Sequence, residues 1–116
     1  MKFENLKIRK ESINLYYEIS WIVEQNKNIR NFFKDQILRA TLSISNNIAE
    51  GFERDTDKEL KRFLYISRWS CWEVRSMLHI ALKKKYINNN EFEQYYDKTK
   101  HISIMIYKYI KTLKTT

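Results

Sequence analysis

Lys61, Tyr65, Arg68, Trp72, Arg75, His79 and Lys83 recur at spacings of four and three residues, an interval that returns to one side of an α-helix. Cations interleaved with aromatic rings suit nucleic acid, because the cations neutralise phosphates and the rings offer stacking surface to unpaired bases. Lys100, Tyr107, Lys108 and Lys111 form a comparable strip further along the chain. The same side chains can instead pack against a neighbouring subunit or stand in solvent, and the spacing leaves all three readings open.

Other reactive types are sparser. Glu50 and Glu73 are the carboxylates that an acid–base mechanism would have to bring together. Asn and Glu inside a bundle, such as Asn46, Asn47 and Glu50, more often satisfy hydrogen bonds between helices. Ser43 can bond back to its own helix. His79 and His101 have no ligand partners at useful spacing, and Cys71 has no adjacent base to make it a nucleophile. One cysteine forms no internal disulfide, and no Cys/His cluster suggests a zinc site. One glycine is too few for a phosphate-cradling loop. A catalytic residue, a metal and a cofactor are therefore not expected.

The elements that position these residues follow from composition and period. Zero Pro and one Gly among 116 residues nearly exclude an all-β fold, whose hairpins and bulges depend on them. Four segments carry the helical period, over about 6–25, 31–52, 57–85 and 91–113. Polar breaks at Asn26–Asn28, Glu53–Asp55 and Asn88–Asn90 separate them. Connections this short force neighbours antiparallel, so the expected fold is an all-α, up-down-up-down four-helix bundle in one domain. Thr56 with Glu59 reads as a capping box, Gly51 as a left-handed helix end, and Asn89 or Asn90 as the cap of the fourth helix.

Core stripes can be placed at about 100° per residue. The third helix shows Leu60, Phe63, Leu64, Ser67, Ser70, Cys71, Val74, Leu78 and Ala81 on one side. The fourth shows Phe92, Tyr95, Tyr96, Thr99, Ile102, Ile106, Ile110 and Leu113, and the second is centred on Phe33, Ile37, Thr41, Ile44, Ile48 and Phe52, with Leu38, Leu42 and Ala49 widening it. The first helix is apolar on two sides: Ile13, Tyr16, Tyr17 and Ser20 form one, while Ile8, Leu15, Ile19 and Ile22 point elsewhere. Ile104 and Met105 also lie off their helix's main face. Such a surplus predicts a homo-oligomer of unspecified number.

Charge is unevenly distributed. Residues 1–57 carry nine Lys/Arg and nine Asp/Glu, whereas residues 58–116 carry thirteen against five and supply the whole net charge of +8. That asymmetry favours a polyanionic partner, nucleic acid before an anionic membrane. With no apolar run of about 18 residues and no signal-peptide pattern at the start, a cytoplasmic protein without membrane association is expected.

The segments Gln36-Ile37-Leu38-Arg39-Ala40, Ser43-Ile44-Ser45-Asn46-Asn47-Ile48-Ala49-Glu50-Gly51 and Lys58-Glu59-Leu60-Lys61-Arg62-Phe63-Leu64 resemble the four-helix bundle protein family. Its members are also called 23S ribosomal RNA intervening-sequence proteins. Phe3-Glu4-Asn5-Leu6 at the start, and Ser70, Glu73, Leu78 and Ala81 further on, extend the resemblance over essentially the whole chain. It implies a left-handed bundle assembling into a ring-like homopentamer, with no established enzymatic activity. A related branch, the accessory variability proteins of diversity-generating retroelements, is similar to a basic pentameric barrel that binds a reverse transcriptase and nucleic acid. Two positions depart from the family pattern: Ser45 stands where members usually have Pro, and Trp69 where a Gly is common. The motif residues Asn47, Glu50, Gly51, Lys58, Glu59, Arg62 and Phe63 read mainly as the turn between the second and third helices, with Glu50 and Arg62 expected to pair there. The resulting expectation is a non-catalytic assembly protein that binds nucleic acid, RNA first. A protein–protein adaptor, for example to a reverse transcriptase, is the alternative.

Overall fold

The computed structural model describes residues 3–114. They form four helices: α1 (Phe3–Gln25), α2 (Asn31–Phe52), α3 (Asp57–Lys83) and α4 (Asn89–Thr112). Helices consecutive in the chain pack side by side and α4 closes back on α1. The diagonal helices meet only through side chains in the core, where Ile19, Ile37, Leu78 and Tyr95 line one small void. Antiparallel register is visible in the pairing of α2 with α3: Gly51 lies against Leu60, and Ser67 Oγ donates to the Ile44 carbonyl at 2.8 Å. Ser70 Oγ reaches Ser43 Oγ at 2.8 Å. The result is a rod of 47 × 23 × 21 Å with the expected all-α architecture.

The stripes read for α2, α3 and α4 supply the buried core, with Ile37, Ile44, Ile48, Leu64, Val74, Ile102 and Ile106 essentially inaccessible. The core side of α1 is Ile8, Ser12, Leu15, Ile19 and Val23. Ile13 and Tyr17, on its other apolar side, face outward with Phe3, Leu6 and Trp21. Three of the buried hydroxyls are satisfied within their own helix: Ser12, Thr41 and Thr99 donate to the carbonyls of Arg9, Ile37 and Tyr95. These bonds remove the cost of an unpaired polar group in the core.

The ends of the helices differ from the sequence expectation in instructive ways. α1 begins at Phe3, earlier than residue 6. α3 closes at Lys83 because Lys85 adopts a left-handed conformation with φ 62°. The Tyr86 amide then donates to the Ala81 carbonyl, and the Lys85 amide to Leu82, which is the Schellman pattern. Asn88, and neither Asn89 nor Asn90, caps α4. Its side chain accepts from the Glu91 amide at 2.8 Å while Glu91 Oε1 accepts from the Asn88 amide at 2.9 Å, a complete capping box. At α3, Thr56 accepts from the Glu59 amide at 3.2 Å, which is one half of the expected capping box; the return bond to the Glu59 carboxylate is not made.

Gly51 is not a left-handed helix end. It is helical and buried, and a Cβ there would meet Leu60 Cδ1 at 3.0 Å and Phe63 Cβ at 3.1 Å. The glycine is needed so that α3 can approach, not for its backbone freedom. Ser45, in place of a proline, donates to the Leu42 carbonyl at 3.1 Å within an uninterrupted α2. At the opposite end of the rod, Asn26 ties two loops together: its Nδ2 donates to the Tyr86 carbonyl and its Oδ1 accepts from the Asn28 amide, both at 2.9 Å.

Candidate nucleic-acid interface

The third helix must turn one side to the core and leaves the other to solvent. Tyr65, Arg68, Trp72 and Arg75 line one open groove of about 780 Å³, together with Trp69, Glu73 and, from α4, Ser103. Four of the seven residues predicted on that stripe therefore share a groove. The rings stand out into solvent, with Trp69 74%, Trp72 63% and Tyr65 46% exposed. The arginines are half-buried, which is how such side chains lay an apolar stem on the helix and keep the charged head wet.

Arg68 is held in place from α4. Its Nε donates to Ser103 Oγ at 3.3 Å, and its guanidinium lies over the Tyr107 ring. Lys111 approaches the same ring, 5.0 Å from its centroid. An electron-rich ring face attracts both cations, so Tyr107 gathers charge at the α3–α4 seam. Beneath them, Cys71 is fully buried, and desolvation pushes its thiol up to about 12 despite the opposing pull of Arg75 and Arg68. A thiol held neutral in this way is a packing residue, not a nucleophile.

The remaining predicted residues are placed differently. His79 packs on Phe92 and Tyr96 of α4, 4.9 and 5.4 Å between ring centroids, and stands apart from the groove. Lys61 is half-buried one turn before Tyr65, and Lys83 and His101 are exposed. The strip expected on α4 splits. Tyr107 and Lys111 sit at the α3 seam and Lys100 is exposed, whereas Lys108 lines a separate groove with Phe3, Glu4 and Lys7 of α1. Positions 107 and 108 are about 100° apart on a helix, enough to send neighbours into different grooves.

Trp69 and Ser103 were not among the predicted site residues. Trp69 follows Tyr65 by four and precedes Trp72 by three, so the spacing that defined the stripe also contains it. Ser103 follows buried Thr99 by four and precedes Tyr107 by four, the position of a polar group at the seam.

The motif around the α2–α3 turn is a packed corner. Asn47 Nδ2 donates to the Ser43 carbonyl at 2.8 Å and to Ser43 Oγ at 3.0 Å, which joins it to Ser70 across the helices. Glu50 pairs with Arg54, one turn on, and not with Arg62 as expected. Arg54 and Arg62 both lie over the Phe63 ring, at 4.9 and 5.8 Å. Lys58 and Glu59 are exposed on the first turn of α3. Glu73 is also exposed, but it stands about ten residues along α3 from the level of Glu50, roughly 15 Å at the helical rise. The two carboxylates do not form a dyad. Among the described residues, no group of three or more His, Cys, Asp or Glu side chains is placed to hold a metal ion, and no helix is long and apolar enough to cross a membrane.

An antiparallel four-helix bundle whose charge gathers beside a groove of exposed rings belongs with the small, basic, all-α proteins. The family model of the 23S rRNA-intervening sequence protein matches residues 4–108, and the chain belongs to that family. No curated protein matches the chain. A crystal structure of a protein of unknown function from the S23 ribosomal protein family of Bacteroides thetaiotaomicron VPI-5482 has a TM-score of 0.82 to this structure. The two share 21% sequence identity over 94% of this chain and 99% of that one. At that identity the likeness speaks for the fold.

Proposed function

We propose that this protein is a non-catalytic, basic assembly protein that binds nucleic acid, RNA first, through the groove on α3. The observation that carries the proposal is the placement of Arg68 and Arg75 beside Tyr65, Trp69 and Trp72 in one open groove. This groove lies in the half of the chain that holds the whole net charge of +8. Membership of a family named for an insertion in ribosomal RNA agrees with an RNA partner. Lys61, Lys83, Lys100 and Lys111 extend the cationic surface along the rod, while His79, packed on Phe92 and Tyr96, and Lys108, in the groove beside α1, lie outside it.

The test is binding of structured RNA and duplex DNA across a salt series, for the native chain and for Arg68→Glu/Arg75→Glu. Each phosphate neutralised contributes a slope of about −0.9 in log K against log salt on duplex DNA. Binding that weakens with salt and collapses in the variant supports the proposal. No binding at low salt, with the fold intact, sinks it.

A second surface supports assembly. Phe3, Leu6, Ile13, Tyr17 and Trp21 are exposed along one side of α1 for its whole length, an apolar stripe of the kind that marks a protein interface. The occupant we propose is another copy of this chain, in a ring-like homo-oligomer; a different protein, such as a reverse transcriptase, would make the chain an adaptor. Sedimentation of the purified protein distinguishes them. An oligomer that dissociates on Ile13→Glu/Tyr17→Glu supports self-assembly, and a monomer that keeps this face open favours the adaptor.

A further inference from the structure

We infer that the α3 groove takes unpaired nucleotides, with bases stacked on Trp69 and Trp72 and phosphates held at the α3–α4 seam. This rests on the nucleic-acid reading above and narrows it to single strands.

The argument is the order of side chains around the helix. At about 100° per residue, Arg68 and Arg75 lie nearest α4. Trp72 and Tyr65 come next, then Trp69, and Glu73 lies furthest round. Burial follows the same order: the two arginines are half-buried, while both indoles and Glu73 are exposed. Cations thus border the rings on one side and a carboxylate borders them on the other. A phosphate backbone is attracted to the first side and repelled from the second, so a bound strand lies along the seam with its bases projecting across the rings.

Duplexes do not use such a surface. Their bases are stacked on each other, and the A-form major groove is too deep and narrow for side chains to read. A duplex would meet the arginines and leave the indole faces idle. Unpaired bases have free faces, and each base–ring stack is worth enough to matter by alanine substitution. Arg68 and Arg75 are two helical turns apart, roughly 10.5 Å, and flank Trp72, so adjoining phosphates of a single strand can be held on either side of one stacked base. Arg68 is already oriented by Ser103 and Tyr107, which lowers the ordering cost of that contact.

The experiment compares a short oligouridine with duplex RNA of the same length, using as background Trp21→Phe, which keeps a ring on the α1 stripe and is first matched to the native chain by sedimentation, so that indole emission reports only Trp69 and Trp72. The expected result is quenching by oligouridine and little change with duplex. Trp69→Ala/Trp72→Ala should lose about tenfold or more in affinity for oligouridine and remain within about twofold for duplex, tenfold being about 1.4 kcal/mol. Trp69→Tyr/Trp72→Tyr, which keeps a ring at each position, should retain most of the binding. Equal affinity for both RNAs, without quenching and unaffected by the alanine variant, overturns the single-strand inference and leaves nucleic-acid binding standing. An alanine variant that dissociates the oligomer but binds RNA normally overturns it by assigning the rings to a subunit contact. Absence of binding to either RNA removes the nucleic-acid reading itself.

Discussion

The Arg68 guanidinium lies 4.7 Å from the centroid of the Tyr107 ring, across the seam between α3 and α4. One helix therefore aims a cation that another helix carries. An exposed pair of this kind contributes about 0.5–1 kcal/mol, too little to hold the bundle together but enough to restrict a long side chain. Tyr107→Phe, which keeps the ring, should bind RNA like the native chain, and Tyr107→Ala should weaken it about three- to fivefold. Denaturation midpoints should move little in either, and a large shift in the Ala variant would mean that the ring serves packing instead.

Gly51→Ala sets two effects of opposite sign against each other. Alanine in a helix gains up to about 1 kcal/mol over glycine, while forcing a methyl into a packed contact costs about 1–3 kcal/mol. The Leu60 methyl at 3.0 Å can swing away, but Phe63 Cβ at 3.1 Å is tied to the backbone of α3. Overpacking should win, with a net loss of about 1 kcal/mol in urea unfolding. A stabilised variant would show that the corner yields.

Lys85→Gly should stabilise the protein by about 0.5–1 kcal/mol. The left-handed region costs a side-chain-bearing residue roughly 1–2 kcal/mol, part of which glycine returns as unfolded-state entropy. The carbonyls of Ala81 and Leu82 remain satisfied by the same amides. Thermal unfolding of the two chains, side by side, reads the difference.

Cys71 sets an alkaline limit on stability. Its thiol is raised from 9.0 to about 12 in the folded state, so folding favours the protonated form. Below the unfolded value both states hold the proton, and the contribution is fully present. Between about pH 9 and pH 12 only the unfolded chain ionises, and stability falls by about 1.4 kcal/mol per pH unit from this group. Cys71→Ala should lack that share of the alkaline slope in urea titrations, and thiol labelling of the native chain should proceed only as fast as the core opens.

The parts of the fold that were legible in the sequence are those with one apolar side. α2, α3 and α4 each present a single stripe, and the period selects most of their buried residues, missing Ala40, Gly51 and Ser103 and including rings such as Phe33, Phe63 and Phe92 that are only partly covered. α1 has apolar residues on two sides, and no local rule separates Leu15 and Ile19, which are buried, from Ile13 and Tyr17, which are not; only the partner helices decide. Gly51 shows a second limit, since a glycine near a helix end suggests a turn, while its contacts with Leu60 and Phe63 are tertiary. In the candidate interface, spacing brought Tyr65, Arg68, Trp72 and Arg75 together. It could not show that Ser103 and Tyr107 come from α4 to meet Arg68, nor that Lys108 turns toward α1. Those facts depend on where one helix lies against the next.

The net charge of +8 belongs wholly to residues 58–116, and α3 and α4 are neighbours in the bundle. The charge centre is therefore displaced sideways from the long axis of the rod. In the field of a polyanion such a body feels a torque as well as a pull, and it turns its α3–α4 flank forward before any atoms touch. Encounters are then pre-sorted by orientation, so added salt should slow association more than it speeds release. At physiological ionic strength the field fades over about 8 Å, which confines this alignment to the last step of approach.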